Sequence, residues 1–268
     1  MLSATNVSFS YPGHPAVLRE IQFTIEQGEC VGLVGRNGSG KSTLFSLLSG
    51  LTKPDQGSLW FDGEAYRYDK AGLKEIRTKV GYIFQSAEAM LLTPSVYEEL
   101  SFGPLNLKLS DEEVRQRIEQ VSDQLGITHL HGRATYFLSG GEKKLVSLGA
   151  ILTMDPEVIL ADEPTSFIDG IHSALLEDKL QLLNRQGKTI LVSSHDMDFI
   201  WRFARRIIVL HQGEILFDGS REALFCQPEV LNRAGLTPPH LLRFSRYLHR
   251  CGLLAPDQLI YSMNELRI

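Results

Sequence analysis

Apolar and polar residues alternate at the start of the chain: Ala4, Val7 and Phe9 precede a turn at Pro12-Gly13, and Leu18, Ile21, Phe23 and Ile25 follow it. That period of two predicts paired strands with one buried face. Past the Gln27-Gly28 turn, Val31 to Val34 is denser in apolar residues and reads as a buried strand. A glycine-rich loop follows, then a helix from about Lys41 to Leu48 closed by Gly50. The turn Pro54-Asp55-Gln56-Gly57 opens a short strand, Ser58 to Phe61, which ends at Asp62-Gly63. From about Ser86 to Pro156 the pattern is mostly helical. Ser110 and Glu113 form a capping box there, and Val114, Ile118, Val121 and Leu125 share one face before Gly126 stops the helix. Val158 to Ala161 and Thr189 to Ser193 read as buried strands around a helix at 173–186, and Ile207–Leu210 and Ile215–Phe217 as an antiparallel pair around Gln212-Gly213. Strands alternating with helices in this way predict a mainly parallel sheet covered on both faces.

From about Ala223 the character changes, with Pro228, Pro238, Pro239 and Pro256 breaking the chain into short helices. Leu241, Phe244 and Leu248 are expected on one face of the last helix and Arg243, Arg246 and Arg250 on another. Such a helix serves equally for packing on its own domain or for a dimer contact.

Composition narrows the class. The 268 residues, 43% of them apolar, suffice for one large α/β domain with a small appendage. A net charge of −5 gives no support to a nucleic-acid partner. The three cysteines are far apart and lack metal-ligand spacing; with no basic-then-apolar leader they are expected to be reduced thiols in the cytosol, Cys30 as a small buried hydrophobe. No stretch approaches the roughly 20 apolar residues of a spanning helix, so work at a membrane would need a partner that crosses it.

The chemistry begins at Gly35-Arg36-Asn37-Gly38-Ser39-Gly40-Lys41-Ser42-Thr43, a phosphate-binding loop between an apolar strand and a helix N-terminus. Its glycines let backbone N–H groups turn inward around phosphates, Lys41 adds charge near the β- and γ-phosphates, and the Ser42 hydroxyl suits Mg²⁺. The loop alone leaves kinases, GTPases and ATPases open. Downstream, the apolar strand at Val158 to Ala161 delivers Asp162 and Glu163 to a buried edge. Asp162 is placed to hold Mg²⁺, directly or through water, and Glu163 suits a base that polarises the attacking water. Between them, Leu138-Ser139-Gly140-Gly141-Glu142 opens another helix, whose capped N-terminus is a second anion site.

Two phosphate sites in this order resemble the ATP-binding cassette family, over roughly residues 1–222. Ser139, Gly140, Gly141 and Glu142 match its signature motif, which in the family covers the γ-phosphate held by the partner subunit's phosphate loop. Glu142 replaces the commoner Gln, a change expected at the solvent-side end. Further roles follow from the resemblance alone. Tyr11 matches the aromatic that stacks on adenine, Gln85 the glutamine that reaches Mg²⁺ and the attacking water, and His195 the switch histidine that contacts the γ-phosphate. Asp169 matches the end of the segment through which the two cassettes communicate; Phe167, Ile168 and Gly170 beside it depart from the usual residues. The fold implied is α/β: a P-loop NTPase core with a mainly parallel sheet, an N-terminal antiparallel β subdomain, an inserted helical subdomain at about 86–157 and a C-terminal helical extension at 223–268.

Lys41 and Ser139 lie too close for the long coiled coil of chromosome-maintenance members, one cassette is present where translation factors carry two, and the spanning helices of most exporters are missing. A separate cassette subunit remains. Residues 85–107, above all Phe102-Gly103-Pro104-Leu105-Asn106-Leu107, are similar to the energy-coupling-factor cassettes for cobalt, nickel and vitamins. Arg233-Ala234-Gly235-Leu236 with Pro238-Pro239 resembles their C-terminal extension; Met90 departs from a frequent glutamine. The resemblance implies ATP and Mg²⁺ as cofactors, a second cassette subunit (the same chain or a paralogue), integral-membrane partners, no nucleic acid, and a peripheral place on the cytoplasmic face. Glu88, Glu98 and Glu99 are expected as exposed acids facing the membrane subunit. The competing classes are a soluble cassette ATPase for DNA repair or ribosome work and a P-loop kinase; the signature and the Glu after Asp162 speak against the kinase.

Overall fold

The computed structural model describes residues 1–86, 88, 90–255 and 258–262. Ala87 and Ala89 of the 85–107 run, Pro256, and the end of the 223–268 extension lie outside the described residues.

Two sheets and ten α-helices form among these residues. The N-terminal strands β1 (Leu2–Ser10) and β2 (Ala16–Ile25) pair antiparallel, with β4 (Gln56–Phe61) against β1 and the short β5 (Glu64–Ala65) at the edge. The larger sheet runs β10-β9-β3-β8-β7-β6, built from β3 (Cys30–Val34), β6 (Val80–Ile83), β7 (Val158–Asp162), β8 (Thr189–Ser193), β9 (Arg206–His211) and β10 (Glu214–Ser220). Its pairings are parallel except for the β9–β10 hairpin. The helices are α1 (Lys41–Leu48), α2 (Lys70–Lys79), α3 (Val96–Asn106), α4 (Asp111–Leu125), α5 (Gly140–Leu152), α6 (Gly170–Arg185), α7 (Met197–Phe203), α8 (Arg221–Phe225), α9 (Pro228–Ala234) and α10 (His240–Arg250).

Successive strand residues point to opposite faces, so each buried strand feeds two cores. Val31, Leu33, Val158, Leu160 and Leu191 join α1 and the N-terminal sheet in one core. Cys30, Val34, Ile159, Ala161, Ile190 and Val192 join the helices of the other face. This is why β3, β7 and β8 read as unbroken apolar runs: both faces are covered.

Several boundaries and faces differ from the sequence reading. Helix α2 is absent from it because only Leu73 and Ile76 supply an apolar rhythm; Asp69 starts the helix by accepting the Gly72 N–H at 2.7 Å. The boundary expected after residue 222 falls inside α8. The extension packs on its own domain, with Leu231, Ala234, Leu241 and Leu242 in the helical-face core. In α10 the buried face is Leu241, Leu242 and Ser245, while Phe244 is exposed, because a stripe chosen at i, i+3 drifts off the true contact line.

Glu99 corrects another expectation. It is buried, and one carboxylate oxygen accepts from Leu92 N at 2.8 Å, Thr93 N at 2.9 Å and Thr93 Oγ1 at 2.8 Å. Glu98 is spent on the capping box of α3 with Ser95, and Glu88 pairs with Lys143 at 2.8 Å. Of the three acids expected on a membrane-facing surface, one organises the turn before α3 instead. Glu99→Ala is expected to lower unfolding free energy by about 1–3 kcal/mol, since it takes the acceptor from the part-buried N–H groups of Leu92 and Thr93. An unchanged denaturant midpoint would refute this role.

Candidate functional site

The carboxyl ends of β3, β7 and β8 lie side by side, and in parallel α/β sheets such ends form the natural crevice for a ligand. Asp162 sits in register with Ser193, and Leu33 with Ser193, so the segments leaving these strands converge. They line a cavity of about 770 Å³ that includes Lys41, Ser42, Gln85, Asp162, Glu163 and His195.

The loop from Gly35 to Gly40 has no room for side chains at its critical turns. Gly35, at φ 152°, would place a Cβ 2.2 Å from the Leu210 carbonyl oxygen. Gly40, at φ 107°, would meet Leu18 at 2.7 Å, and it opens α1 with no side chain satisfying the helix N-terminus. Ser39 Oγ is buried without a hydrogen-bond partner. An uncapped helix start, an orphaned hydroxyl and no acid in the first turn make a cradle suited to an anion. Lys41 is buried and donates from Nζ to the carbonyls of Gly35 at 2.8 Å and Arg36 at 3.3 Å. Burial lowers its pKa, opposed by the charges of Glu163 and Asp162. Asn37, Gly38, Ser42 and Thr43 also line the cavity; Gly35, Arg36 and Ser39 shape the loop from behind. The stem of Arg36 lies against Gly235 of the extension, where an added Cβ would come within 3.2 Å of it.

At the acidic edge, Asp162 accepts from Tyr82 Oη at 3.2 Å and from Ser193 Oγ. Burial, then the Asp162 charge, raises the Tyr82 pKa and keeps that hydroxyl a donor. Glu163 adopts a left-handed backbone at φ 46°, and its carboxylate has different hydrogen-bond partners from that of Asp162. Its Oε2 accepts from Ser166 Oγ at 3.2 Å, Ser194 Oγ at 3.4 Å and His195 Nδ1 at 2.9 Å. His195 itself is largely exposed at the cavity mouth. Tyr11 lies just past β1 and is half exposed, its ring edge-on to Phe9 and its hydroxyl 3.2 Å from Thr43 Oγ1. It is a cavity-lining aromatic rather than a core tyrosine.

The signature residues lie elsewhere. None of Ser139, Gly140, Gly141 and Glu142 lines the 770 Å³ cavity; Gly140 borders a neighbouring one of about 490 Å³ with Gln85 and Phe167. Ser139 and Glu142 form a reciprocal capping box: Glu142 Oε2 accepts from Ser139 N at 2.7 Å, and Ser139 Oγ accepts from Glu142 N at 3.2 Å. Glu142 also pairs with Arg133 at 2.7 Å, and these bonds, with that to the Ser139 backbone foremost, hold its pKa below the usual carboxylate range. It is therefore an engaged helix-capping carboxylate, not a free solvent-side group. Asp169 lines neither cavity; it caps α6 and pairs with His172 at 2.6 Å. Sequence reasoning passed over Ser193, Tyr82, Lys144 and His172. A hydroxyl-bearing residue at the end of the strand paired with β7 was a readable signal for Ser193; the others depend on tertiary contact.

Comparison with known proteins agrees with this layout. A family model described as ABC transporter matches residues 18–166. An energy-coupling factor transporter ATP-binding protein of Methanospirillum hungatei is 39% identical over 97% of this chain, which spans 65% of that relative's length. One of Methanocaldococcus jannaschii is 36% identical over 100% of this chain and 95% of its own length. Among solved structures, CbiO1 of Clostridium perfringens, part of the ABC transporter complex CbiONQ, aligns with a TM-score of 0.79 at 31% identity, covering 94% of this chain and 98% of that one. A dimeric ATP-binding cassette in a post-hydrolysis state with ADP and phosphate aligns at 0.74 and 29% identity, covering 82% and 98%.

Gly141 shows how tightly α5 and α6 meet beside the signature residues. A Cβ there would fall 2.2 Å from the His172 ring. Gly141→Ala is expected to destabilise the chain by about 1–3 kcal/mol through overpacking, and Gly141→Ala with His172→Gly, which removes both the ring and the Cβ that would lie 2.6 Å from the added methyl, to recover part of that loss. Chemical denaturation of the single and double variants reads this directly; a double variant no more stable than Gly141→Ala would contradict it.

Proposed function

The chain belongs to the ABC transporter family, and from that premise we propose that it is the ATP-hydrolysing subunit of an energy-coupling-factor importer for a metal ion such as cobalt or nickel, or for a vitamin. The observation that carries the reading is the convergence of Lys41, Asp162, Glu163 and His195 on one cavity whose lining includes none of Ser139, Gly140, Gly141 and Glu142. A site so divided needs a second cassette, the same chain or a paralogue, to supply Ser139, Gly140, Gly141 and Glu142 to the nucleotide. The relatives named as transporter subunits support the transport reading over a soluble DNA-repair or ribosome-associated ATPase. Among the described residues no helix is long and apolar enough to cross a membrane, so in this reading integral-membrane subunits carry the solute and the cassette sits peripherally on their cytoplasmic side. Nucleic acid has no part in it. Residues 1–222 act as the ATP-binding unit, 86–157 as its helical subdomain, and 223–268 as an extension.

In this mechanism Gly35 to Thr43 receive the phosphates, and Lys41, now turned onto loop carbonyls, is the nearest buried cation to offer them. Tyr11 offers its ring to the adenine. Ser42, Asp162 and Gln85 would hold Mg²⁺, which when bound neutralises phosphate charge. The donor set of one exposed hydroxyl, one buried carboxylate and one amide fits that hard cation. Water attacks the γ-phosphorus, the bond to the ADP oxygen breaks, and Glu163 takes the water's proton. Ser166, Ser194 and His195 hold the Glu163 carboxylate in place. Asp169 ties the start of α6 to the dimer face.

Two measurements test the reading. Glu163→Gln in the purified complex with its membrane partner is expected to retain ATP binding and lose about 10²–10⁴-fold in turnover. Near-normal turnover would remove Glu163 as the base. A dimer of one Lys41→Ala chain and one Ser139→Arg chain is expected to occlude ATP at one site, while a dimer carrying both changes in each chain occludes none. Equal occlusion in the two would rule out assembly of the site across the interface.

A further inference from the structure

Lys144 projects from the signature helix α5 into the interior and is only 3% exposed. Its Nζ donates to the carbonyl oxygens of Gln85 at 2.6 Å and Phe84 at 3.3 Å, and reaches that of Glu163 at 3.5 Å. All three acceptors are backbone carbonyls. A buried ammonium carries a large desolvation cost, and neutral carbonyls offset less of it than a carboxylate partner would. A methionine would fill the same volume without that cost, so packing alone does not account for a lysine here. Burial indeed pulls its pKa down to about 8, against the raising effect of the Asp162 and Glu163 charges.

What the cation joins is the informative part. Phe84 and Gln85 follow β6, with Gln85 lining both cavities, Glu163 ends the β7 acid pair, and α5 carries Ser139 to Glu142 at its start. One side chain therefore bridges three segments that the proposed function assigns to Mg²⁺ binding, base catalysis and the partner's nucleotide. Met90 completes the frame, its Sδ accepting the Phe84 N–H at 3.2 Å.

We propose that Lys144 is a positioning residue for hydrolysis: rooted in the signature helix, it grips the backbone of Phe84, Gln85 and Glu163 so that the side chains of Gln85 and Glu163 stay aimed into the nucleotide cavity and move with that helix. The proposal rests on the ATPase reading and acts through residues already assigned to the site, without itself touching the nucleotide.

The test uses Lys144→Met, which keeps length and removes the charge, and Lys144→Gln, which keeps one donor and is read if the methionine variant does not fold. Amide hydrogen exchange of the purified full chain is expected to accelerate at residues 84–86 while the phosphate loop is unchanged. In the complex, kcat is expected to fall about tenfold with KM little altered, and the same change made in a Gln85→Ala background to cost much less than tenfold. A purely structural role predicts additive losses. Unchanged exchange at 84–86, or additive losses within about twofold, would overturn the proposal. A wild-type complex that binds and turns over no ATP would instead overturn the functional reading, with the exchange result still reporting on the Lys144 grip.

Discussion

The site depends on the parallel ladder that holds β3, β7 and β8 in adjacent register. Because Asp162 lies opposite Ser193, and Ser193 opposite Leu33, three chain segments far apart in sequence leave the sheet at one edge. The ladder is rigid because both faces of these strands are covered by apolar side chains, and a slip of one residue would exchange the two cores. The phosphate loop, the acid pair and His195 are thus placed by hydrophobic packing that involves none of them.

Charge at this edge is arranged with little solvent to screen it. Asp162 and Glu163 are adjacent in sequence and both buried, with Glu163 in a left-handed backbone conformation. Hydroxyl donors satisfy both: Tyr82 and Ser193 serve Asp162, and Ser166 and Ser194 serve Glu163. Two buried lysines, Lys41 and Lys144, supply positive charge near the acids, each held by carbonyls rather than by the acids. Direct ion pairing would have locked the acids; carbonyl-held cations temper the local potential and leave the carboxylates available for chemistry.

The start of α5 is built on a different principle. Ser139 and Glu142 satisfy each other's backbone donors, and Gly141 lets α6 approach so closely that the His172 ring occupies the space of a side chain. Asp169 caps that same helix and pairs with His172. The signature residues and the segment ending at Asp169 form one packed unit whose outer surface bears exposed Phe167 and Ile171. The local hydrogen bonding is complete within the chain, and in the proposed function the nucleotide that these residues cover is held by a second cassette.

The sequence by itself determined the elements that depend on local rules: alternation for β1 and β2, unbroken apolar runs for β3, β7 and β8, a capping box at Ser110 and an N-cap at Ser139, and the glycine pattern of the phosphate loop. These are legible because backbone geometry and nearest neighbours decide them. It also named the residues that meet in the main cavity, through motif and resemblance. It could not decide burial where polar groups are partnered at a distance. Glu99 reads as one more surface acid until Leu92 and Thr93 fold over it, Lys144 as a solvated helix lysine until three carbonyls surround it, and Phe244 as a core residue until α10 turns it outward. Only tertiary structure decides these, because the free energy of a buried charge or an exposed ring depends on what the rest of the chain brings to it, and no local pattern records that partner.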